Sequence, residues 1–429
     1  MKTTKSLYSL KLLSLAALSA AATPALAETA ALDKADTAWV LVAALLVLFM
    51  TIPGIALFYA GMVRKKNILS TLAQSCAICV LASLLWWIVG YSIAFAEGNA
   101  FAGGLSKVFL AGIGVDTLSG TIPEILFVFF QMTFAILTPA LIVGSWAERV
   151  KFSALCLFTA AWSLLVYAPV CHWVWASDGY FFKLGALDYA GGTVVHINAG
   201  IAGFVGCLML GKRKGYGTQA LHPANLSLAM VGAAILWFGW MGFNGGSGLA
   251  ANGRAAMAIV ATQIAAAAGA LAWIALEWRL RGKPSLLGLV SGAVAGLVAV
   301  TPASGFILPA SGAAIGLLSG IACFFMVSVV KTKLGYDDSL DAFGVHGVGG
   351  IIGALLTAFF ATSEVTGAAL PGTGEQFLIQ LLSVVATLLY GGLMSAAILF
   401  AIKSTIGLRV NEEDETLGLD LAIHGERIE

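Results

Sequence analysis

Residues 188–203 read DYAGGTVVHINAGIAG, and residues 338–353 read DSLDAFGVHGVGGIIG. Six positions agree at identical spacing: Asp188 with Asp338, Val195 with Val345, His196 with His346, Gly200 with Gly350, Ile201 with Ile351 and Gly203 with Gly353. The frame D-x6-V-H-x3-G-x2-G thus returns after 150 residues. Each copy opens an apolar run long enough for a membrane helix, so a histidine is twice placed in hydrocarbon at the same position of its helix. Ionisable groups there are costly and face a cavity or a partner. Small residues let membrane helices approach closely. The glycines four and seven positions after each histidine smooth one helix face and bring the two imidazoles together.

A helix needs about 20 apolar residues to cross roughly 30 Å of hydrocarbon. Cutting the chain where charges interrupt apolar runs leaves eleven spans, near 39–62, 68–96, 125–147, 152–176, 189–211, 224–250, 255–276, 285–304, 306–330, 342–361 and 377–402. Only Ser304 and Gly305 divide the eighth from the ninth. The repeated frames open the fifth and tenth spans, so the chain reads as two five-span halves and one extra helix. Five is odd, so the second half inserts upside down relative to the first. The expected fold is an all-α polytopic membrane protein with 11 transmembrane helices, an inverted 5+5 repeat plus one. Inverted repeats place a transport site near the midplane between the halves, and His196 and His346 are expected to meet there.

Composition agrees. Hydrophobic residues fill 59% of the 429 positions and charged residues 10%, against about 25% charged in a soluble domain. With 23 basic and 22 acidic residues the chain has no electrostatic footprint for nucleic acid. The six cysteines (Cys76, Cys79, Cys156, Cys171, Cys207 and Cys323) lie in apolar stretches, so no disulfide framework is expected. Cys76 and Cys79 form a CxxC without a second pair or a nearby histidine, which argues against a metal or redox role.

The first 27 residues have a basic start (Lys2, Lys5, Lys11), an apolar run from Leu12 to Ala22, and an Ala25-Leu26-Ala27 end, the pattern of a secretory signal peptide. The expected organisation is a signal peptide at 1–27, a membrane domain at 28–402 and a cytoplasmic tail at 403–429, in a bacterial inner membrane with the N-terminus periplasmic. Sixteen lysines and arginines, from Arg64 to Arg427, fall in segments this topology puts inside, against Lys34, Lys107, Lys183 and Arg254 outside. That asymmetry is the positive-inside pattern.

A pair of neutral imidazoles supplies N–H donors and ring-nitrogen acceptors, so it can accept or relay a proton along an apolar path. A bis-histidine haem site is the competing reading and requires a wide apolar pocket between helices. Asp188 and Asp338 stand two helical turns before their histidines. Asp338 reads as a helix N-cap. Asp188, deeper in its apolar run, reads as a group that orients backbone and favours a cation at the outer vestibule.

The stretch from Asp188 to Arg213 resembles the signature of the ammonium transporter (Amt/Mep/Rh) family, in its bacterial Amt form. Further matches are FQMTFA at 130–135, AERVKF at 147–152, GWMGFNGGS at 239–247, RGKPSLLG at 281–288, VTP at 300–302 and DAFGVHGVGG at 341–350. The resemblance covers nearly the whole chain after residue 27. It implies an outer recruitment site of Phe130, Phe134, Trp175 and Ser247, with Trp173 as the alternative to Trp175. It further implies a gate of Phe134 and Phe243, a pore pair of His196 and His346, and supporting positions at Asp188, Trp240 and Thr301. The implied protein is a channel for ammonium or ammonia, with methylammonium as analogue, and neither an enzyme nor a metal or cofactor protein. Implied partners are two further copies in a homotrimer and a PII-type signalling protein docking near the tail. A membrane sensor signalling through the tail is the alternative. From composition alone the tail reads as a solvated terminus.

Overall fold

The computed structural model describes residues 31–428; the expected signal peptide lies outside the described residues. Among these, ten helices are long and apolar enough to cross a membrane: α1 (Lys34–Met62), α2 (Lys65–Phe95), α3 (Glu124–Trp146), α4 (Phe152–Leu184), α5 (Gly192–Leu210), α6 (Leu226–Gly246), α7 (Gly253–Arg281), α9 (Pro309–Leu334), α10 (Phe343–Phe360) and α11 (Thr373–Thr405). Helix α8 (Leu286–Val300) is equally apolar but only 15 residues long. Each helix coincides with one of the eleven runs read from the sequence.

The departures have local causes. The eighth run was expected to continue to residue 304, yet its helix stops at Val300 and the chain turns through 301–307 before Pro309 opens α9. Pro302 and Gly305 break the helix there. Thr301, Ala303 and Ser304 are fully buried. Irregular backbone at membrane depth survives when protein encloses it and its polar groups find partners. Pro302 O accepts from Tyr189 N at 3.0 Å, and Ala303 N donates to Val300 O. Helix α5 starts at Gly192 because Asp188 caps it from outside. Its carboxylate accepts the N–H groups of Gly191, Gly192, Thr193 and Val194 and the Thr193 hydroxyl. Helix α4 is interrupted after Trp175 and closes with a single turn, Tyr180–Leu184. The loop between α2 and α3 folds into two small antiparallel hairpins, β1 (Gly98–Asn99) with β2 (Ala102–Gly103) and β3 (Leu118–Ser119) with β4 (Ile122–Pro123).

The packing repeats in the two halves. At Gly200 an added Cβ would stand 2.4 Å from Gly347 Cα, and at Gly350 it would stand 3.2 Å from His196 Cβ, so α5 and α10 cross at the glycines that follow their histidines. Gly203 abuts Ser145 on the third helix, and Gly353 abuts Ala299 on the eighth, its counterpart five helices later. The lead-in to α5 bonds to the end of α8 through Tyr189 N and Pro302 O; the lead-in to α10 bonds to the end of α3 through Leu340 N and Gly144 O at 2.9 Å. These reciprocal contacts are the ones an inverted repeat generates. Helices α1 and α6, the first of each half, pack closely where Gly61 meets Ala229 and Gly232 meets Phe58.

The tail departs from the solvated terminus expected from composition. It forms two one-turn helices, α12 (Glu412–Leu417) and α13 (Leu419–His424), docked on its own chain. Glu415, Leu419 and Asp420 are buried. Glu415 takes Lys214 N at 2.6 Å and Arg409 Nη2 at 2.6 Å, Asp420 takes Ser70 N at 2.7 Å, and Lys66 Nζ reaches Glu415 O at 2.8 Å. Long-range ion pairs and backbone bonds hold what composition alone describes as soluble.

Candidate functional site

A file of aromatic and imidazole rings runs into the bundle from Trp175 on α4. Trp175 meets Phe134 edge-on at 5.7 Å between centroids. Phe134 contacts Phe130 at 4.9 Å and lies against Phe243 at 4.4 Å with the planes 35° apart. Phe243 stands 6.0 Å from His196, and His196 stands 5.3 Å from His346 with the planes 15° apart. Phe134 and Phe243 are almost wholly buried, whereas Trp175 and Ser247 are partly exposed. Helix periodicity builds this column: Phe130 and Phe134 are one turn apart on α3, and Phe243 sits on α6 one turn before Ser247, whose hydroxyl donates to Phe243 O at 2.7 Å.

Trp175, not Trp173, faces this column. Its indole N–H donates to Asp188 O at 2.9 Å, which ties the end of α4 to the cap of α5. Trp173 turns away, donating to Phe101 O at 2.7 Å and packing on Tyr390. Residues two positions apart on a helix differ by about 200° in direction.

The histidine Nδ1 atoms lie 3.2 Å apart. Each ring sits on a wide π-helical turn, Gly192–Ile197 in α5 and Phe343–Gly347 in α10. In the first, His196 N reaches back five residues to Gly191 O at 3.0 Å. Such bulges concentrate at functional sites because they re-aim a side chain. A bond between the two Nδ1 atoms requires one to carry hydrogen and the other to be bare. One ring then presents Nε2–H and the other a bare Nε2, giving the apolar surroundings one donor and one acceptor. His196 Nε2 is buried with no hydrogen-bond partner. Two nitrogens at hydrogen-bond distance leave no room for a metal ion between them, so the geometry does not fit a bis-histidine haem.

Trp240 backs His196 at 5.4 Å with the planes 16° apart, and its N–H donates to Thr301 Oγ1 at 2.9 Å; Thr301 in turn donates to Leu297 O. The break after α8 therefore supplies the hydroxyl that fixes the indole. Two narrow cavities adjoin His346. One, of about 10 Å³, is lined by Leu141, Trp240 and Val294, and the other, of about 40 Å³, by Tyr59, Ser291 and Asp341. The first is about the volume one water needs. Asp188 lies behind the column, its carboxylate spent on the α5 N-terminus. Asp338 caps α10 likewise, through Ala342, Phe343 and Gly344 N–H.

The AERVKF segment at 147–152, to which the sequence alone assigns no role, is the hub of the tail face. Glu148 accepts Arg64 N, Arg64 Nε, Asn67 Nδ2 and Arg213 Nη1 within 3.0 Å, and Arg213 also pairs with Asp337 at 2.8 Å. Burial alone raises the Glu148 carboxyl, but the Arg213 and Arg64 charges overcome it and hold the group below its ordinary value. Asp337 is held down in the same way against burial, by hydrogen bonds and charge from Arg213. Arg149, fully buried, donates to the carbonyls of Gly211, Ala147, Ser145 and Asp337. A charge at an apolar run's edge was the available signal; its long-range partners, 65 residues away for Glu148 with Arg213 and 188 for Arg149 with Asp337, were not.

The model of the Ammonium Transporter Family matches residues 38–428. The chain belongs to this family. The ammonium transporter of Aquifex aeolicus (strain VF5) is 50% identical over 411 residues, covering 94% of this chain and 95% of that protein. The ammonium transporter of Bacillus subtilis (strain 168) is 48% identical over 402 residues, covering 92% and 98%. Among solved structures, Saccharomyces cerevisiae Mep2 superposes with a TM-score of 0.83 at 36% identity over 89% of this chain and 88% of that one. A protein described as a sensor Amt protein gives 0.85 at 30% identity over 91% and 98%. Membership makes this chain a multi-pass membrane transporter and not an enzyme.

Proposed function

We propose that the transporter takes ammonium at Trp175, Phe130, Phe134 and Ser247, passes it between Phe134 and Phe243, and conducts it as ammonia along the His196–His346 pair. The observation that carries this reading is the hydrogen-bonded histidine pair at the foot of a closed aromatic column. Aromatic faces attract a cation by about 0.5 to 2 kcal/mol, depending on how far it is desolvated. Ser247 Oγ and the carbonyls beside it accept N–H bonds, which ammonium and methylammonium donate and potassium does not. Behind the gate the walls are apolar, and burial favours the neutral form of an amine. Past the gate the ion passes its proton to the histidine pair, which relays it inward while ammonia moves alongside, so that net charge crosses and an ammonium flux is read as a current. Asp188 rigidifies the outer mouth, and Trp240 with Thr301 holds His196 in plane.

The same reading places the protein in a bacterial inner membrane after loss of residues 1–27, with the N-terminus periplasmic and the tail cytoplasmic. It assembles three copies, each with its own pore, and the docked tail offers the surface on which a PII-type protein would act. Ammonium and potassium fluxes into proteoliposomes test the selectivity; equal currents for the two ions would reject it. A second reading, a sensor signalling through the tail, draws on the tail's clasp by Lys66, Lys214 and Arg409. A sensor binds ammonium without net flux, so the same assay separates the two.

A further inference from the structure

A cavity of about 650 Å³ lies between the end of α2, the loop that follows it and the start of α3, and Trp175 forms part of its wall. Tyr91, Lys107, Glu124, Phe127 and Asp178 line it as well. One helix face leads from this cavity to the aromatic column. Glu124, Phe127, Phe130 and Phe134 follow one another on α3 at spacings of three, three and four residues, which the helical period stacks on one side. At 1.5 Å of rise per residue, Glu124 stands about 9 Å along the helix from Phe130.

This cavity already holds an ammonium group, the chain's own. Lys107 Nζ donates to Glu124 Oε1 and stands 5.7 Å from the centre of the Tyr91 ring, within the roughly 6 Å over which an aromatic face attracts a cation. Tyr91 Oη donates to the same carboxylate oxygen at 2.8 Å. Among the described residues nothing donates to Glu124 Oε2, so that oxygen keeps its acceptor sites free. A carboxylate and a ring face thus grip a primary alkylammonium, which is the chemical form of methylammonium.

The loop does not need this grip to hold its place. Ser92 Oγ accepts Lys107 N at 3.0 Å and donates to Gly104 O at 2.8 Å, so backbone contacts position Lys107 without its side chain. The Lys107 side chain is 30% exposed, against 11% for Glu124. A pair with one partner that open to water is screened and exchanges readily. The tether can swing into the cavity and leave the carboxylate to another cation.

We propose that Glu124 and the Tyr91 ring form a second site for a primary ammonium ion, ahead of Trp175, and that the Lys107 ammonium occupies it as a tethered competitor until the transported ion displaces it. Passage of that ion onward to Trp175 rests on the recruitment site proposed above; binding at Glu124 does not. With the lysine charge removed, the carboxylate is open to ions from solution, occupancy beside Trp175 rises and the apparent KM falls. The size of the fall is that of one partly exposed ion pair, about twofold to fivefold.

Two measurements on the full-length protein in liposomes test this. The first is the KM of the ammonium current. Lys107→Met, which keeps a long side chain without charge, is expected to lower it by about twofold to fivefold. Adding Glu124→Gln to that variant is expected to undo the fall, and adding Asp178→Asn, which removes a charge from the same cavity wall, is expected to leave it in place. An unchanged KM in Lys107→Met overturns the tethered competitor. Equal reversal by Glu124→Gln and Asp178→Asn assigns the effect to the general field of the cavity and overturns the site. The second measurement needs no flux: solid-state NMR of Lys107→Met with 13C-labelled glutamate and saturating 15N-methylammonium. The Glu124 carboxyl signal, identified by its loss in Lys107→Met/Glu124→Gln, is expected to couple to the ligand nitrogen at hydrogen-bond range. A carboxyl signal without that coupling overturns the site whatever the currents show. Were the parent protein to carry no ammonium current, the conduction reading would fail by itself, and the carboxyl coupling would still decide the site.

Discussion

The Nδ1 atoms of His196 and His346 stand 3.2 Å apart, joined across 150 residues of chain. Neither imidazole has a polar side chain other than its partner within hydrogen-bond distance, so the two rings share one polar link. Replacing either by alanine removes the same link. The two single variants are therefore expected to lose transport to a similar degree, and His196→Ala/His346→Ala to lose little more. The coupling energy read from the cycle should fall in the range of about 0.5–3 kcal/mol. Additive losses from methylammonium uptake would mean that the two rings act separately. His196→Asp introduces a charge that draws water into the column, and potassium leakage is expected in that variant.

Gly200 meets Gly347 where α5 and α10 cross, with 2.4 Å between the position of an added Cβ and Gly347 Cα. The atoms it would meet, Gly347 Cα and Gly347 N, are backbone and cannot swing aside. Gly200→Leu is expected to push the histidine helices apart, to destabilise the protein by about 1–3 kcal/mol, and to abolish transport. Gly217→Leu, at a loop glycine with open space around it, provides the comparison for expression, although its own positive φ carries some strain. Thermal unfolding in detergent, with uptake in parallel, reads both effects.

Arg213 holds Glu148 and Asp337 below their ordinary values. A carboxylate lowered in the folded state contributes stability that is present above its unfolded pKa, about 4 for these groups, and disappears as pH falls through the folded value. The parent protein should therefore keep the stability of this cluster down to about pH 4 and lose it progressively below. Arg213→Gln leaves two buried carboxylates short of a partner, at a cost of about 3–5 kcal/mol. In that variant the acid limb of the melting curve should move to higher pH. Identical acid limbs in the two proteins would show that Arg213 does not set these groups.

What the sequence displayed well was whatever repeats or whatever hydrocarbon forces. The D-x6-V-H-x3-G-x2-G frame marked the histidine helices because an ionisable side chain among apolar residues and glycines stands out at any register. The eleven runs were legible for the same reason. The end of α8 was not, because Thr301–Gly305 is short, uncharged and flanked by apolar sequence on both sides, and its backbone partner, Tyr189, is more than 100 residues away. Nor was the tail, where Glu415 and Asp420 are buried only because Arg409, Lys66 and the Ser70 N–H come to meet them. Asp188 and Asp338 looked different in depth and are alike in use, each capping the helix that carries its histidine. Trp175 and Trp173 could be told apart only by helix phase, once the break after Trp175 was known.

The proposed orientation, with the tail cytoplasmic, draws on the basic residues that share the tail's face, Arg64, Lys66, Arg149, Arg213 and Lys214. A single cysteine at the exposed Glu413 is expected to resist a membrane-impermeant thiol reagent in intact cells and to react in inverted vesicles. The background protein must lack its native cysteines, since Cys76 is itself exposed. Labelling in intact cells would place the tail outside.

The most direct test of the account is charge movement on a solid-supported membrane carrying the purified protein in liposomes. An ammonium step should produce a current, a potassium step of the same size should produce almost none, and His196→Ala should lose the ammonium current while its outer site still binds methylammonium. Equal currents for the two ions, or a parent-like ammonium current in both His196→Ala and His346→Ala, would contradict it.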